Sequence, residues 1–208
     1  MSTAIDLDRL DFAKGGGLLP AIVQHAATGA VLMLGYMNRQ ALQATLERRR
    51  VVFYSRSKQR LWEKGETSGH FLELEGVRMD CDADTLLVTA QPRGPVCHLG
   101  TATCFGDEPA TRAERLGFIA QLESTIARRW VDRPAGSYTS KLFEQGAKRI
   151  AQKVGEEGLE VALAAVAEAD DKVISESADL IFHLLVLLRS RGLEMSQVAA
   201  ELAARHKG

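Results

Sequence analysis

The chain has 208 residues, 46% of them hydrophobic and 25% charged, with a formal net charge of -1. That length suits one large domain or two small ones, and the near-zero charge removes the electrostatic case for nucleic acid as a bulk partner. Met1 to Leu10 carries acids and no apolar stretch, so no secretory signal is expected, and the longest greasy run, Leu180 to Leu188, is broken by His183 and too short to span a membrane. An odd number of cysteines without such a signal points to a reducing cytoplasm, where clustered thiols are ligands or nucleophiles more often than disulfides.

Up to about residue 110 the chain is rich in Gly, Thr, Val and Phe in short alternating runs. Leu19 to Gln24 and Ala30 to Tyr36 read as strands joined by a turn at Thr28-Gly29. Asn38 suits the N-cap of a helix through Ala41, Leu42 and Leu46. Val51 to Ser55, Phe71 to Met79 and Thr85 to Gln91 read as further strands, and Pro92-Arg93-Gly94-Pro95 as a turn back towards Cys97. Gly106-Asp107-Glu108-Pro109 reads as a linker. Helical period dominates beyond it, beginning with a stripe of Leu116, Ile119, Leu122 and Ile126. Ser137 or Ser140 is expected to cap a second helix, and a long helix to cover Lys148 to Glu168. Asp170 or Asp171 is expected to cap another through Arg189, ended by Gly192, and Ser196 a last one through Leu202. The expected architecture is an α+β amino-terminal domain over residues 1–110, with a small mixed or antiparallel sheet, followed by an all-α helical bundle over 111–208.

The three cysteines, Cys81, Cys97 and Cys104, lie in one stretch, the first inside Asp80-Cys81-Asp82-Ala83-Asp84. Thiolates suit zinc and carboxylates suit magnesium; three protein ligands with an open fourth position is the catalytic zinc arrangement. If this segment is extended, alternation turns Asp80, Asp82 and Asp84 to one face and Cys81 to the other, to serve different ions. The separations to Cys97 and Cys104 exceed a zinc knuckle, so the fold, or two subunits, must gather the ligands. The plainer reading is of core cysteines beside a solvated acidic turn. Upstream, the run from Ser55 to His70 mixes cations, hydroxyls and glycines, which is anion-binding chemistry. Ser55, Arg56, Arg60, Lys64, Gly65, Thr67 and Ser68 are candidates to hold phosphate, and Trp62 offers a stacking face.

Ser55 to His70 and Asp80 to Phe105 together closely resemble phosphoribosyl-AMP cyclohydrolase, over about residues 10 to 110. The matching pattern is a Ser-Arg stretch, Trp, Lys-Gly-Glu-Thr-Ser-Gly, Asp-Cys-Asp-x-Asp, then two further cysteines. The resemblance implies zinc on Cys81, Cys97 and Cys104, contributed across a homodimer interface, and magnesium near Asp80, Asp82 and Asp84. The implied reaction adds water at C6 of a purine, and zinc lowers the pKa of bound water to about 7. His98, beside Cys97, is the candidate base.

In the helical half, Glu156, Glu157 and Glu160 lie near one helix face, and Glu176 and Asp179 are three apart on the next. Like charges at this spacing cost stability unless neutralised, and Mg²⁺ is the usual answer. The plainer reading is a solvated acidic face paired with Lys148 and Lys153. Ala162, Leu163, Ile174 and Leu180 argue instead for a groove between packed helices. This half resembles phosphoribosyl-ATP pyrophosphohydrolase, of the all-α nucleotide pyrophosphatase group, over about residues 115 to 208. The resemblance implies that those five carboxylates bind magnesium, with Glu157 and Glu160 in catalytic roles, and that water attacks the triphosphate to release pyrophosphate. Lys141, Lys148, Arg149 and Lys153 are candidates for phosphate contact, and His183 reads as packed.

The sequence thus predicts a cytoplasmic, bifunctional histidine-biosynthesis hydrolase with Zn²⁺ and Mg²⁺, acting on phosphoribosyl-ATP and then phosphoribosyl-AMP. It predicts no nucleic-acid or membrane partner. A nucleobase deaminase is excluded, since no histidine has Glu two residues on and no two cysteines have the required spacing. A non-enzymatic zinc module remains the rival; it predicts a closed site with His98 or His70 as fourth ligand, and unfolding on chelation.

Overall fold

The computed structural model describes residues 5–107 and 112–206. Met1 to Ala4, and Glu108 and Pro109 of the expected linker, lie outside them. The chain divides into two units, Met1–Gly117 and Phe118–Gly208.

The first unit is built on a four-stranded sheet in the order β2-β1-β6-β5, with β1 Leu19–His25, β2 Val31–Met37, β5 Leu72–Met79 and β6 Leu86–Pro92. β1 pairs antiparallel with β2 and parallel with β6, and β5 pairs antiparallel with β6, so the sheet is mixed. Alternation does the sorting: Leu19, Ala21 and Val23 of β1 and Leu86, Val88 and Ala90 of β6 turn their side chains into one core. Helix α1, Arg39–Arg48, starts where Asn38 accepts a hydrogen bond from the Ala41 amide at 2.8 Å. It packs Ala41 and Leu42 on that core. The buried Thr45 hydroxyl, 2.8 Å from the Ala41 carbonyl and 2.9 Å from the Val52 amide, ties α1 to the next strand.

That strand, β3 Val52–Ser55, forms a second, two-stranded sheet with β4, Arg60–Glu63. The polar run from Ser55 to His70 is therefore partly a strand. Phe53 opposes Trp62, and their rings stack with centroids 5.6 Å apart.

Asp80 to Asp84 is not extended. It is the turn joining β5 to β6, with Ala83 at φ +60°. Asp80 Oδ1 accepts from the amides of Asp84 and Thr85 at 3.0 and 3.1 Å, an Asp-side-chain turn that ends the β alternation. The expected separation of Cys81 from its flanking acids on opposite strand faces fails for that reason.

The second unit holds helices α2 Arg112–Asp132 (which begins in the first unit), α3 Tyr138–Ala167, α4 Asp170–Ser190 and α5 Met195–Arg205. α3 breaks at Gly146, φ +82° and ψ 173°, which separates a short first segment from the long carboxylate-bearing one. Ser137, not Ser140, is the N-cap, accepting from the Ser140 amide. Two expected caps differ. Ala169 precedes α4 and leaves Asp170 and Asp171 in its first turn, where negative charge favours the helix dipole. Glu194 caps α5 through reciprocal bonds with Gln197, placing Ser196 inside the helix. The core gathers Ile126, Leu142, Phe143, Ile150, Leu185 and Val186. Ile119 and Leu122 of the expected α2 stripe pack on it, whereas Leu116 is exposed.

Candidate functional site

In the first unit a cavity of about 350 Å³ is lined by Trp62, Lys64, Gly65, Thr67, Ser68, His70, Pro95, Cys97, His98 and Gly100. It joins five of the predicted phosphate and stacking residues to one predicted zinc ligand and the predicted base. Gly65 makes the turn that closes it. Its φ is +94°, and a Cβ there would meet the His70 carbonyl carbon at 2.6 Å.

Lys64 is 8% exposed, and among the described residues no carboxylate lies within ion-pair distance of it. Its charge acts on Cys104, whose thiol is nonetheless pushed up, chiefly by burial and then by Cys97. The Cys97 thiol is pulled below its ordinary value, chiefly by the Leu99 amide and then by Thr101. His98 Nδ1 lies 3.9 Å from Cys97 Sγ. Cys104 is anchored by its amide to the Leu32 carbonyl at 2.8 Å.

The remaining predicted phosphate ligands do not line this cavity. The Arg56 guanidinium sits 3.9 Å over the Tyr36 ring. Arg60 donates to Glu66, which holds the Glu66 carboxyl below the usual range, and Ser55 Oγ accepts from the Lys58 amide. Cys81 is exposed on its turn, its thiol 4.0 Å from Asp82 Oδ1. Among the described residues, the groupings of three or more metal-ligating atoms are Asp80, Asp82 and Asp84, and Glu157, Glu176 and Asp179; neither includes a cysteine. Within one chain the three thiols are thus not gathered.

Lys14 was missed by sequence reasoning. Its ammonium bridges Asp82, at 2.6 Å, and Asp84. This lowers the Asp84 carboxyl and raises the lysine. The contact spans 68 residues, and no local pattern announces it.

In the helical unit Glu157 and Glu176 are buried and Asp179 exposed, with ligand oxygens within 4.8 Å of one another. Leu163 and Ile174, expected to wall the groove, are exposed instead. Lys153 lies 2.6 Å from Glu157 and 3.0 Å from Glu156, and Lys172 pairs with Glu176. Glu156 and Glu176 are thereby held below the ordinary glutamate value. Glu160 is raised, by desolvation first and then by Glu157 and Glu176. The i,i+4 spacing of Lys172 to Glu176 is the signal that could have found that partner. Arg149 reaches Glu156 at 3.2 Å, while Lys141 and Lys148 are exposed. His183 is buried as expected, yet both its ring nitrogens have polar partners.

Residues 33–106 match the phosphoribosyl-AMP cyclohydrolase family, and residues 119–206 the phosphoribosyl-ATP pyrophosphohydrolase family. The chain is 58% identical to the histidine biosynthesis bifunctional protein of Xylella fastidiosa (strain Temecula1) over 98% of this chain and 96% of the relative. It is 55% identical to the protein of that name from Vibrio cholerae, over 96% of this chain and 95% of the relative. The Escherichia coli K12 protein is 54% identical, over 95% and 96%. The chain belongs to the family of bifunctional histidine-biosynthesis hydrolases, in which a phosphoribosyl-AMP cyclohydrolase domain precedes a phosphoribosyl-ATP pyrophosphohydrolase domain.

Proposed function

We propose that the cyclohydrolase unit works with zinc held by Cys97 and Cys104 of one protomer and Cys81 of another, and the pyrophosphohydrolase unit with magnesium held by Glu157, Glu176 and Asp179. The observation that carries the first part is the cavity in which Cys97 and His98 meet Lys64, Thr67 and Ser68. The donor set fits the metal: Cys97 and Cys104 shift each other's thiol, and Cys104, like Cys81 on its turn, is exposed and accessible to a neighbour. Zinc bound there supplies a Lewis acid that brings the pKa of water to about 7.

Lys64 and the Thr67 and Ser68 hydroxyls bind phosphoryl oxygens of phosphoribosyl-AMP, and Trp62 offers its face to the base. His98, on the cavity wall beside Cys97, takes the proton from the attacking water. Arg56 and Arg60, already engaged with Tyr36 and Glu66, have a smaller part. Asp80, Asp82 and Asp84 form a second oxygen-rich site suited to magnesium. The plan needs a homodimer; exposed Val31, Leu34, Leu99 and Phe105 support one, since they leave apolar surface around the Cys97 to Cys104 loop and on β2.

In the helical unit, magnesium would neutralise the triphosphate of phosphoribosyl-ATP. Lys153 orients a phosphoryl oxygen, Glu156 completes the carboxylate set, and Glu160 is placed to take a proton from water. The free thiols favour a cytoplasmic setting. Among the described residues no helix is long and apolar enough to cross a membrane.

Both half-reactions on one preparation test the reading. Pyrophosphate release from phosphoribosyl-ATP should require Mg²⁺. Cys97→Ala should stop ring opening of phosphoribosyl-AMP while pyrophosphate release persists. Ring opening that survives in Cys97→Ala would remove the zinc assignment.

A further inference from the structure

The buried imidazole of His183 stands in the wall of the helical carboxylate site. It is 4% exposed, and both of its nitrogens are engaged. Nδ1 lies 2.9 Å from the Asp179 backbone carbonyl, one turn back on α4, and Nε2 lies 3.1 Å from the Tyr138 hydroxyl. A carbonyl only accepts, so Nδ1 carries a proton; in the neutral ring Nε2 then accepts from the tyrosine O–H. The rings of Tyr138 and Phe182 pack edge-to-face on the imidazole, with centroids 6.1 and 5.2 Å away. Its rotamer is therefore fixed from two edges and two sides.

Held this way, the Nδ1–H edge faces Glu157 Oε1 at 3.6 Å. That is too long for a hydrogen bond and short enough for attraction in a buried setting. The Glu157 carboxylate is buried with the like charges of Glu176 and Asp179 close by, and its ion pair with Lys153, at 2.6 Å, comes from its own helix. The imidazole is the positive edge offered from α4. The Gly146 break separates the Tyr138 end of α3 from the segment carrying Glu157, so the tyrosine comes from its own short segment.

We propose that His183 is a positioning residue that fixes Glu157 in the rotamer facing Glu176 and Asp179, with the Tyr138 hydroxyl as its latch. This rests on the reading of those carboxylates as the magnesium site. Groups standing behind metal ligands in this way typically alter affinity 10- to 100-fold.

The test is Mg²⁺ titration by calorimetry on the full chain, with thermal melting of each metal-free variant. Glu157→Gln first identifies the heat that belongs to the helical site; if that variant titrates like wild type, the magnesium reading itself fails. With the site identified, His183→Leu should weaken it about 10- to 100-fold, and His183→Asn, whose amide N–H can stand in for Nδ1, should recover to within about threefold of wild type. Tyr138→Phe should fall between them. Wild-type affinity in His183→Leu, or equal weakening by Asn and Leu at equal melting temperature, overturns the proposal. Should His183→Leu not fold, His183→Gln replaces it: it keeps only a group near Tyr138 and should bind weakly where Asn binds well, and equal affinities overturn the proposal.

Discussion

Lys64 shows how much one side chain can disclose. A buried ammonium without a carboxylate partner is destabilising unless an anion meets it, and this one opens onto the cavity that holds Cys97 and His98. Lys64→Met keeps the length and removes the charge. It should leave the melting temperature of the free protein unchanged or raise it. It should also raise KM for phosphoribosyl-AMP about tenfold or more, the loss expected for one hydrogen bond to a charged group. Scanning fluorimetry and ring-opening kinetics on the same variant check both, and a lower melting temperature with unchanged KM would make Lys64 a structural residue. Arg60 makes the opposite point. Sequence placed it beside Lys64 as a phosphate ligand, but Glu66 already satisfies it.

At the scale of the element, α3 and α4 carry acids of opposite behaviour. Lys153 and Lys172 hold Glu156 and Glu176 below the ordinary glutamate value. The stability from these pairs is therefore present above that value and lost as pH falls through the native-state pKa. Metal-free protein should melt at lower temperature as it is acidified below about pH 4.5. Glu160 has the reverse sign: its native carboxyl is raised, so its unfavourable contribution grows as pH rises towards neutrality. Glu160→Gln should thus raise the melting temperature at pH 7 in chelator while cutting Mg²⁺-dependent pyrophosphate release; a fall in melting temperature would contradict the repulsion. Much of this layer was legible. The Asn38 cap, the Gly192 stop and the spacing of the acids are local chemistry, and local chemistry is written in consecutive residues. The caps of α4 and α5 were misplaced by a residue or two because a Glu194–Gln197 pair and a first-turn aspartate do similar electrical work from different positions. The turn at Asp80 was misread although an aspartate accepting two following amides could have signalled it.

For the whole molecule, the two units differ in how well they bury their apolar residues. The sheet unit encloses its core from Leu10 to Val96, whereas the helical unit leaves Leu159, Leu163, Val166 and Ile174 exposed along α3 and α4. In the sheet unit the exposed residues cluster differently, with Leu99 and Phe105 beside the thiols. If protomers share the zinc there, Phe105→Glu should lower zinc content per chain and ring opening together, leaving pyrophosphate release near wild type; elemental analysis and the two assays decide it. Lys14 has a consequence of another kind. With its ammonium lodged between Asp82 and Asp84, one of the three negative charges of the acidic turn is already offset and the turn is tied down. If magnesium takes that site, its uptake would be an ion exchange: a tethered monovalent group would be expelled as a free divalent one is bound, so occupancy would follow the contest between the two rather than the bare attraction of three carboxylates.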